Sequence, residues 1–272
     1  MNSSDVKFTP LRISTNVATG NLGSKLFLDK LFEKLPLLMI PFGYPEEGIL
    51  KMEHKSQVVG ASARDLLTKK KAAKKTFFNQ STLVVRKRRM EDDSQFKEVN
   101  IKLFANGGIQ MTGITGIEFA RITLEWLLPI LATLPGISEQ PLFIKQLKIQ
   151  LINSDYHVNA NIHRDNLHQI MSQQYCLFSS LEKLIHQGVN IKYYYNTSRT
   201  VGRPGICNCE RPCPGQGEGD APGQCKKITI LAFQTGDIIV TGARKKEQLD
   251  EAYEFMNQIL LRHSKEILRP LV

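Results

Sequence analysis

Two ten-residue stretches of the chain follow one template without a gap. Residues 104–113 read Phe104-Ala-Asn-Gly107-Gly-Ile109-Gln-Met-Thr112-Gly113, and residues 233–242 read Phe233-Gln-Thr-Gly236-Asp-Ile238-Ile-Val-Thr241-Gly242. Both are F-x-x-G-x-I-x-x-T-G, and both are followed five residues later by a glutamate, Glu118 or Glu247. Polar, glycine-bearing turns between apolar runs are the mark of tight hairpins. A chain that repeats a hairpin this closely repeats the unit around it, so the duplication constrains the architecture before any single residue does.

The correspondence reaches back to the start of each half. Leu11-x-Ile13 answers Leu147-x-Ile149, and eighteen residues beyond each leucine Asp29-x-Leu31 answers Asp165-x-Leu167. Each half reads in one order: a strand (13–20; 149–158), a short helix opened near the aspartate, a connector, and a strand (82–88; 189–195). A strand–turn–strand around Gly107 or Gly236 and a long closing helix complete it. In the second closing helix Leu249, Ala252, Tyr253, Met256, Ile259 and Leu260 fall on one face at helical spacing. Ala120, Leu124, Leu127, Leu128 and Leu131 do so in the first, where Pro129 is expected to kink or shorten the helix.

Two copies of β-α-β-β-β-α predict an α+β fold, with helices on one face of an antiparallel sheet and the other face open. Strand alternation puts Phe104, Gln110 and Thr112 on the open side, and Phe233, Ile239 and Thr241 likewise. An open face carrying aromatic and threonine side chains is a binding surface. The other place for the two phenylalanines is the core, should that face be covered.

Charge points to the kind of ligand. The net charge is +10, which suits an anionic partner. From Leu66 to Met90 there is no acid, while Lys69, Lys70, Lys71, Lys74, Lys75, Arg86, Lys87, Arg88 and Arg89 all fall there. The Lys69–Lys75 part reads either as a nucleic-acid contact or as a solvated basic loop or localisation signal. The chain has no apolar run of the roughly 18 residues that a membrane span requires. Its start, Met1-Asn-Ser-Ser-Asp5, lacks the apolar segment of a signal peptide. The cysteines form no secreted-type framework, so a reducing, intracellular site is expected.

At the template residues the chain resembles the TATA-box-binding protein family. The run Leu231-x-Phe233-x-x-Gly236-x-Ile238-Ile239-Val240-Thr241-Gly242-Ala243, followed by Glu251-Ala252-Tyr253-Glu254, is similar to that family's third and fourth strands and long helix. Asn21-Leu22-Gly23-Ser24-Lys25-Leu26 differs by one residue from its N-L-G-C-K-L, and Phe178-Ser179-Ser180-Leu181-Glu182 with Gly188 resembles F-S-S-Y-E…G. The resemblance covers two repeats, 11–135 and 141–268, with insertions at about 37–73 and 197–226. It is closest in character to the diverged versions found in large DNA viruses.

The resemblance implies a saddle of two pseudo-symmetric repeats, one curved antiparallel sheet with helices on the convex face. In the family the concave face lies in the minor groove of promoter DNA, and phenylalanine pairs wedge between base steps and bend the duplex, a known property of the family. Phe104 and Phe233 stand at one wedge position of each repeat. Their partners fall on Phe78 (or Phe77) and on His186. Thr112 and Thr241 match groove-facing threonines, and Val17, Gln110, Asn153 and Ile239 complete the groove-facing set. The family's two central asparagines fall on Thr15 and Leu151, and its phosphate-binding lysines after the hairpin glycines on Gly108 and Asp237. Arg86 and Lys192 keep positive charge near the second strands. Glu182 matches an acidic residue facing the TFIIB-like partner, whereas the next acidic position is Leu184.

The implied partners are double-stranded promoter DNA, a TFIIB-like factor and RNA polymerase, in a nucleus or, for a viral protein, a cytoplasmic factory or virion. The lost asparagines and lysines predict weaker and less selective DNA binding than is usual for the family. They equally suit an adaptor of the same fold that works through protein contacts. No phosphate-binding loop, nucleophile motif or paired histidine ligands stand out, so no enzymatic activity is expected.

Cys207-x-Cys209-x3-Cys213-x11-Cys225 lies in a stretch rich in glycine and proline between the second and third strands of the second half. Four thiolates so close together suffice for a tetrahedral zinc site that would pin a loop with no core of its own. Free thiols or a disulfide are the other readings. Cys176 stands apart and reads as a small buried residue.

Overall fold

A two-residue period of apolar side chains builds the sheet of each half and decides which face the helices cover. The computed structural model describes residues 3–67, 78–90, 94–182, 186–199, 202–211 and 213–271. Lys69, Lys70, Lys71, Lys74, Lys75 and Phe77 lie outside the described residues. The chain divides into a first-half unit, Thr15–Gln150, and a second-half unit, Met1–Ser14 with Leu151–Val272.

The first-half unit contains β1 (Arg12–Asn21, from Thr15), α1 (Leu28–Lys34), β2 (Gly48–His54), β3 (Gln57–Gly60), α2 (Ala63–Leu67), β4 (Gln80–Arg88), β5 (Phe96–Phe104), β6 (Gly108–Ile114) and α3 (Ile117–Ala132). Its strands run in the order β3-β2-β4-β5-β6-β1, each pair antiparallel. Val99, Ile101 and Leu103 of β5 and Ile109 and Met111 of β6 point to one side and form a buried cluster with Phe119, Ala120, Leu124, Leu127 and Leu131 of α3. Each such leucine or phenylalanine contributes about 1.5–3 kcal/mol by its removal from water. Of the kink or shortening expected from sequence, the shortening does not occur, because the helix runs through Pro129 to Ala132. Pro129 forfeits one backbone hydrogen bond in the last turn, and burial of Leu127 and Leu131 on either side of it outweighs that loss.

The second-half unit contains β7 (Gln146–His157, from Leu151), β8 (Asn161–Ile162), α4 (Arg164–Gln169), β9 (Phe178–Glu182), β10 (His186–Tyr195), β11 (Lys226–Ala232), β12 (Asp237–Ala243), α5 (Lys246–Arg262), α6 (Ser264–Ile267) and β13 (Leu268–Arg269). Its strands run β7-β12-β11-β10-β9, again antiparallel, with β8 and β13 as a separate pair. Helix α5 packs across β10, β11 and β12. Ile191, Tyr193, Ile228, Ile230 and Val240 are buried on that side, as are Leu249, Ala252, Met256 and Leu260 of the helix. In the run Tyr193-Tyr194-Tyr195 the first and third rings are buried and the second is half-buried, as strand alternation requires.

Each unit is thus α+β, an antiparallel sheet with helices on one side. The four strands expected per half become six in the first, where β2 and β3 add outside β4, and five in the second, where β9 adds outside β10. The segment 37–73, with no counterpart legible in the sequence, supplies β2, β3 and α2. Cys176 is exposed rather than buried, at a backbone φ of 56°, and its Sγ accepts a hydrogen bond from Arg203 Nη1 at 3.4 Å. It follows α4 and the helical turn behind it, where the chain turns back toward β9.

The repeated template is the shape of one turn made twice. Gly107 N–H donates to Phe104 O at 2.9 Å, and Gly107 O accepts from Leu22 N at 2.9 Å. Gly236 N–H donates to Phe233 O at 3.1 Å, and Gly236 O accepts from Val158 N at 2.9 Å. Both glycines are left-handed, at φ 81° and 90°. A Cβ on Gly107 would lie 2.1 Å from Ser24 O, and one on Gly236 would lie 2.4 Å from Val158 O. The trailing glutamates sit in the first turns of α3 and α5, at the positive end of each helix dipole. Gly236→Ala and Gly107→Ala should each cost about 2 kcal/mol or more in urea unfolding, from the φ penalty and the backbone clash. Gly43→Ala, where a Cβ meets nothing within 4 Å, should stay within about 0.5 kcal/mol.

Candidate nucleic-acid interface

The sheet face away from the helices is polar and aromatic in both units, because the register that buries one set of side chains presents the other. In the first-half unit Thr112 lies opposite Val17 on β1 and Asn100 on β5, and Gln110 lies opposite Thr19 and Lys102. Phe104 ends β5 opposite Gln80, and Phe78, two residues before Gln80, is 77% exposed. Val17 shares this face but offers little surface, at 8% exposure. Thr15 is half-buried, just before a register shift at Asn16, whose Nδ2 donates to Thr115 O at 2.6 Å. Arg86 is opposite Glu98, with its guanidinium 4.4 Å from the centre of the Phe96 ring.

In the second-half unit one row across the face is Asn153, Thr241, Thr229, Lys192 and Phe178; the next is Asp155, Ile239, Leu231, Asn190 and Ser180. Leu151 is half-buried two residues before Asn153 on the same strand. Thr241 Oγ1 hydrogen-bonds Asn153 Oδ1, so an asparagine stands on this face two residues along from Leu151. Phe233 is half-buried beside the turn, 3.1 Å from where a Cβ on Gly188 would lie. His186, two residues before Gly188, pairs through its backbone with Glu182; its side chain lies outside the described residues. Phe78 and His186 therefore hold equivalent places relative to Phe104 and Phe233. Glu182 is exposed at the end of the edge strand β9. Lys192 Nζ donates to Thr229 Oγ1 at 2.9 Å, and burial, then the neighbouring Lys227, lowers its pKa.

Strand alternation applied to every strand would have found Lys102, Asn190, Thr229 and Leu231 as well. The charge pairs beside the second hairpin had no sequence signal. Arg12 pairs with Asp155 at 2.7 Å, and His157 Nδ1 with Asp237 Oδ1 at 3.0 Å. These partners are distant in the chain and meet only through the β7–β12 register and the segment leading into β1.

The four cysteines of the loop converge. Their sulfurs are 3.5 Å (Cys207–Cys213), 3.9 Å (Cys209–Cys213), 3.5 Å (Cys209–Cys225) and 3.7 Å (Cys207–Cys225) apart, and none is in a disulfide. Together they could hold a metal ion. Gly223 N–H donates to Cys209 Sγ at 3.2 Å, and Asn196 Nδ2 to Cys225 Sγ at 3.4 Å. Burial pushes the Cys225 thiol up to about 12. Burial also opposes ionisation of Cys207, but the backbone N–H groups of Cys213 and Cys209 outweigh it and bring the thiol down to about 6. The loop reaches the helix side of the unit too, where Gln248 Nε2 donates to Glu218 O at 2.7 Å and Arg244 pairs with the Glu218 carboxylate.

A serine–histidine–aspartate line lies in the first-half unit: Ser81 Oγ to His54 Nδ1 at 2.7 Å, and His54 Nε2 to Asp29 Oδ1 at 3.0 Å. The sequence carried no hint of it. Ser81 is 1% exposed, so its hydroxyl cannot meet a substrate; the line ties β4 and β2 to α1.

The family model for transcription factor TFIID (or TATA-binding protein, TBP) matches residues 222–263, the stretch holding β11, β12 and α5. A protein of Acanthamoeba polyphaga mimivirus described as TATA-box-binding protein-like is 28% identical, over 94% of this chain and 66% of that protein. The chain therefore spans just under two thirds of that relative's length. Methanococcus jannaschii TBP aligns in structure over 92% of this chain and 97% of its own, with 13% identity and a TM-score of 0.45.

At the second hairpin turn, hydrogen bonds from Thr235 and His157 hold the Asp237 carboxyl below its ordinary range, against the opposing effect of burial. The pKa is depressed in the folded state, so the cluster stabilises the fold above the unfolded carboxylate range and loses that contribution as pH falls through the folded value. Thr235→Ala should move the Asp237 titration toward the ordinary value in a carboxyl-detected NMR pH series.

Proposed function

We propose that this chain, a divergent TATA-box-binding-protein-like protein akin to those of large DNA viruses, is a transcription initiation factor. It would bind promoter DNA through the minor groove, bend it, and recruit a TFIIB-like factor and RNA polymerase. The observation that carries this reading is the repetition of one open face. Phe104 with Thr112, and Phe233 with Thr241, occur at equivalent places beside equivalent turns, with helices on the opposite side of each sheet. The minor groove offers a degenerate set of acceptors at A·T pairs, so apolar and shape contacts dominate there. Threonine, isoleucine and leucine side chains suit that surface. Unstacking a base step costs a few kcal/mol, which contacts along the face must offset. Exposed Phe78 beside Phe104 fits a wedge pair, and His186 takes the matching place beside Phe233.

Binding should be weaker and less selective than is usual in the family. Gly108 carries no charge, and Asp237, 63% exposed, repels phosphate where the family has a lysine. Fewer cationic contacts also mean a flatter dependence on salt. The same features favour a second reading, an adaptor acting through protein contacts with DNA held only inside a complex. Glu182, exposed on β9, would face the TFIIB-like partner in either case.

Fluorescence-transfer bending of an AT-rich duplex, with and without a TFIIB-like partner, separates the two. The chain should bend TATA and scrambled duplexes to similar extents. Phe104→Ala with Phe233→Ala should abolish bending and weaken binding by at least about tenfold. Unchanged DNA behaviour with lost partner binding would favour the adaptor.

The cysteine cluster is read as a structural zinc site. Tetrahedral ligation at about 2.3 Å from zinc to sulfur sets sulfurs about 3.8 Å apart, close to the 3.5–3.9 Å separations here. The Gly223 and Asn196 donors support thiolates in the way outer hydrogen bonds orient metal ligands. Elemental analysis of the purified chain should find about one zinc per molecule, and Cys207→Ser with Cys209→Ser should remove it. A metal-free native chain would overturn the assignment.

A further inference from the structure

The open face of the second-half unit is divided by charge. Its β7–β12 side carries Asp155 and Asp237, each already paired, with Arg12 and His157. Its β9–β11 side carries Lys192 and Lys227, with Glu182 at the far end of β9, and among the described residues no carboxylate forms an ion pair with either lysine. Lys192 is directly opposite Phe178 on β9, so the two side chains stand on the same face as cross-strand neighbours, about 5 Å apart at Cβ. Phe178 is 62% exposed although it is a large aromatic residue in a strand. Tyr194 is the next residue on this face of β10 and lies opposite Lys227. The cysteine loop flanks that end: Lys227 N–H donates to Gly215 O at 2.9 Å, and a Cβ on Gly215 would come within 3.0 Å of the Tyr194 ring.

We propose that Phe178, Lys192 and Lys227 form a binding site for single-stranded nucleic acid, with an unpaired base stacked on Phe178 and its flanking phosphates on the two lysines. The argument rests on chemistry that a duplex does not satisfy. An outward-standing aromatic ring gains from the face of a base, and in a duplex both faces of each internal base are already stacked. An anionic strand is drawn to the two lysines and not to the β7–β12 side, where Arg12 is neutralised by Asp155 and Asp237 adds negative charge. Lys192 is held toward Thr229, and its charge is disfavoured by burial and then by Lys227, so a phosphate between the lysines relieves their repulsion. Aromatic rings interleaved with lysines along a strand path are the general means of binding unpaired bases without reading sequence. The site belongs to the second-half unit alone and does not depend on the bending of duplex DNA proposed above.

The test is fluorescence anisotropy of the full chain with a labelled 12-nucleotide thymidine strand, the equivalent uridine strand and a blunt 12-base-pair duplex, each at two salt concentrations. The chain should bind at least one single strand, and the two strands show whether DNA, RNA or both are taken. Phe178→Ala should weaken single-strand binding by roughly fivefold or more. Lys192→Gln with Lys227→Gln should lower the salt slope by about 1 to 1.5, as expected for two lost phosphate contacts to a single strand. Lys246→Gln, a charge removed on the helix side, should change neither quantity. Because Phe178 is exposed, its replacement should keep the unfolding midpoint, so a loss of binding reports the site. Binding of the duplex alone, or single-strand binding unchanged in both variants, would overturn the proposal.

Discussion

The close approach of a turn glycine to a backbone carbonyl is the contact on which each unit depends. Gly107 lies against Ser24 O, and Gly236 against Val158 O, at separations that leave no room for a Cβ. Each turn also hydrogen-bonds the chain just beyond the first strand of its own half, through Leu22 or Val158. The hairpin is thereby locked to that strand at one register. Register in a sheet has a period of two, so a slip of one residue would turn Thr112 and Thr241 inward and put Ile109 and Ile238 in water. The identity of the open face follows from the position of two glycines.

On that face, geometry is shared between the halves and charge is not. The first-half face carries Lys102 and the Arg86–Phe96 stack. The second-half face separates paired carboxylates on β7 and β12 from lysines on β10 and β11. The two hairpins share backbone geometry while their solvent-facing side chains differ, because those side chains contribute little to stability. The cysteine loop shows the same freedom. It is inserted where two strands meet a turn, and its contacts with Asn196, Gln248 and Arg244 hold it to the sheet end and the start of α5.

The elements with a strong period were legible from sequence: both closing helices, both hairpins and the central strands, each backed by several buried side chains. The strands β2 and β9 were not. β9 alternates only weakly, in Phe-Ser-Ser-Leu-Glu, and β2 lies in a segment without a counterpart in the other half. β9 takes its strand form from the free edge of β10, and β2 from pairing between β3 and β4, rather than from their own pattern. Cys176 looked like a core residue by type, yet it falls, exposed and at a positive φ, where the chain reverses after a helical turn.

What the sequence determined by itself was the twice-written hairpin template, the faces of its strands, and the presence of four thiols in one loop. These depend on local periodicity and on residue types with few conformational options. Tertiary structure decided which side chains meet: Thr241 with Asn153, Asp237 with His157, Ser81 with His54 and Asp29, and the four sulfurs with one another. Such pairings depend on strand order and register between segments far apart in the chain, and no pattern within either segment records them.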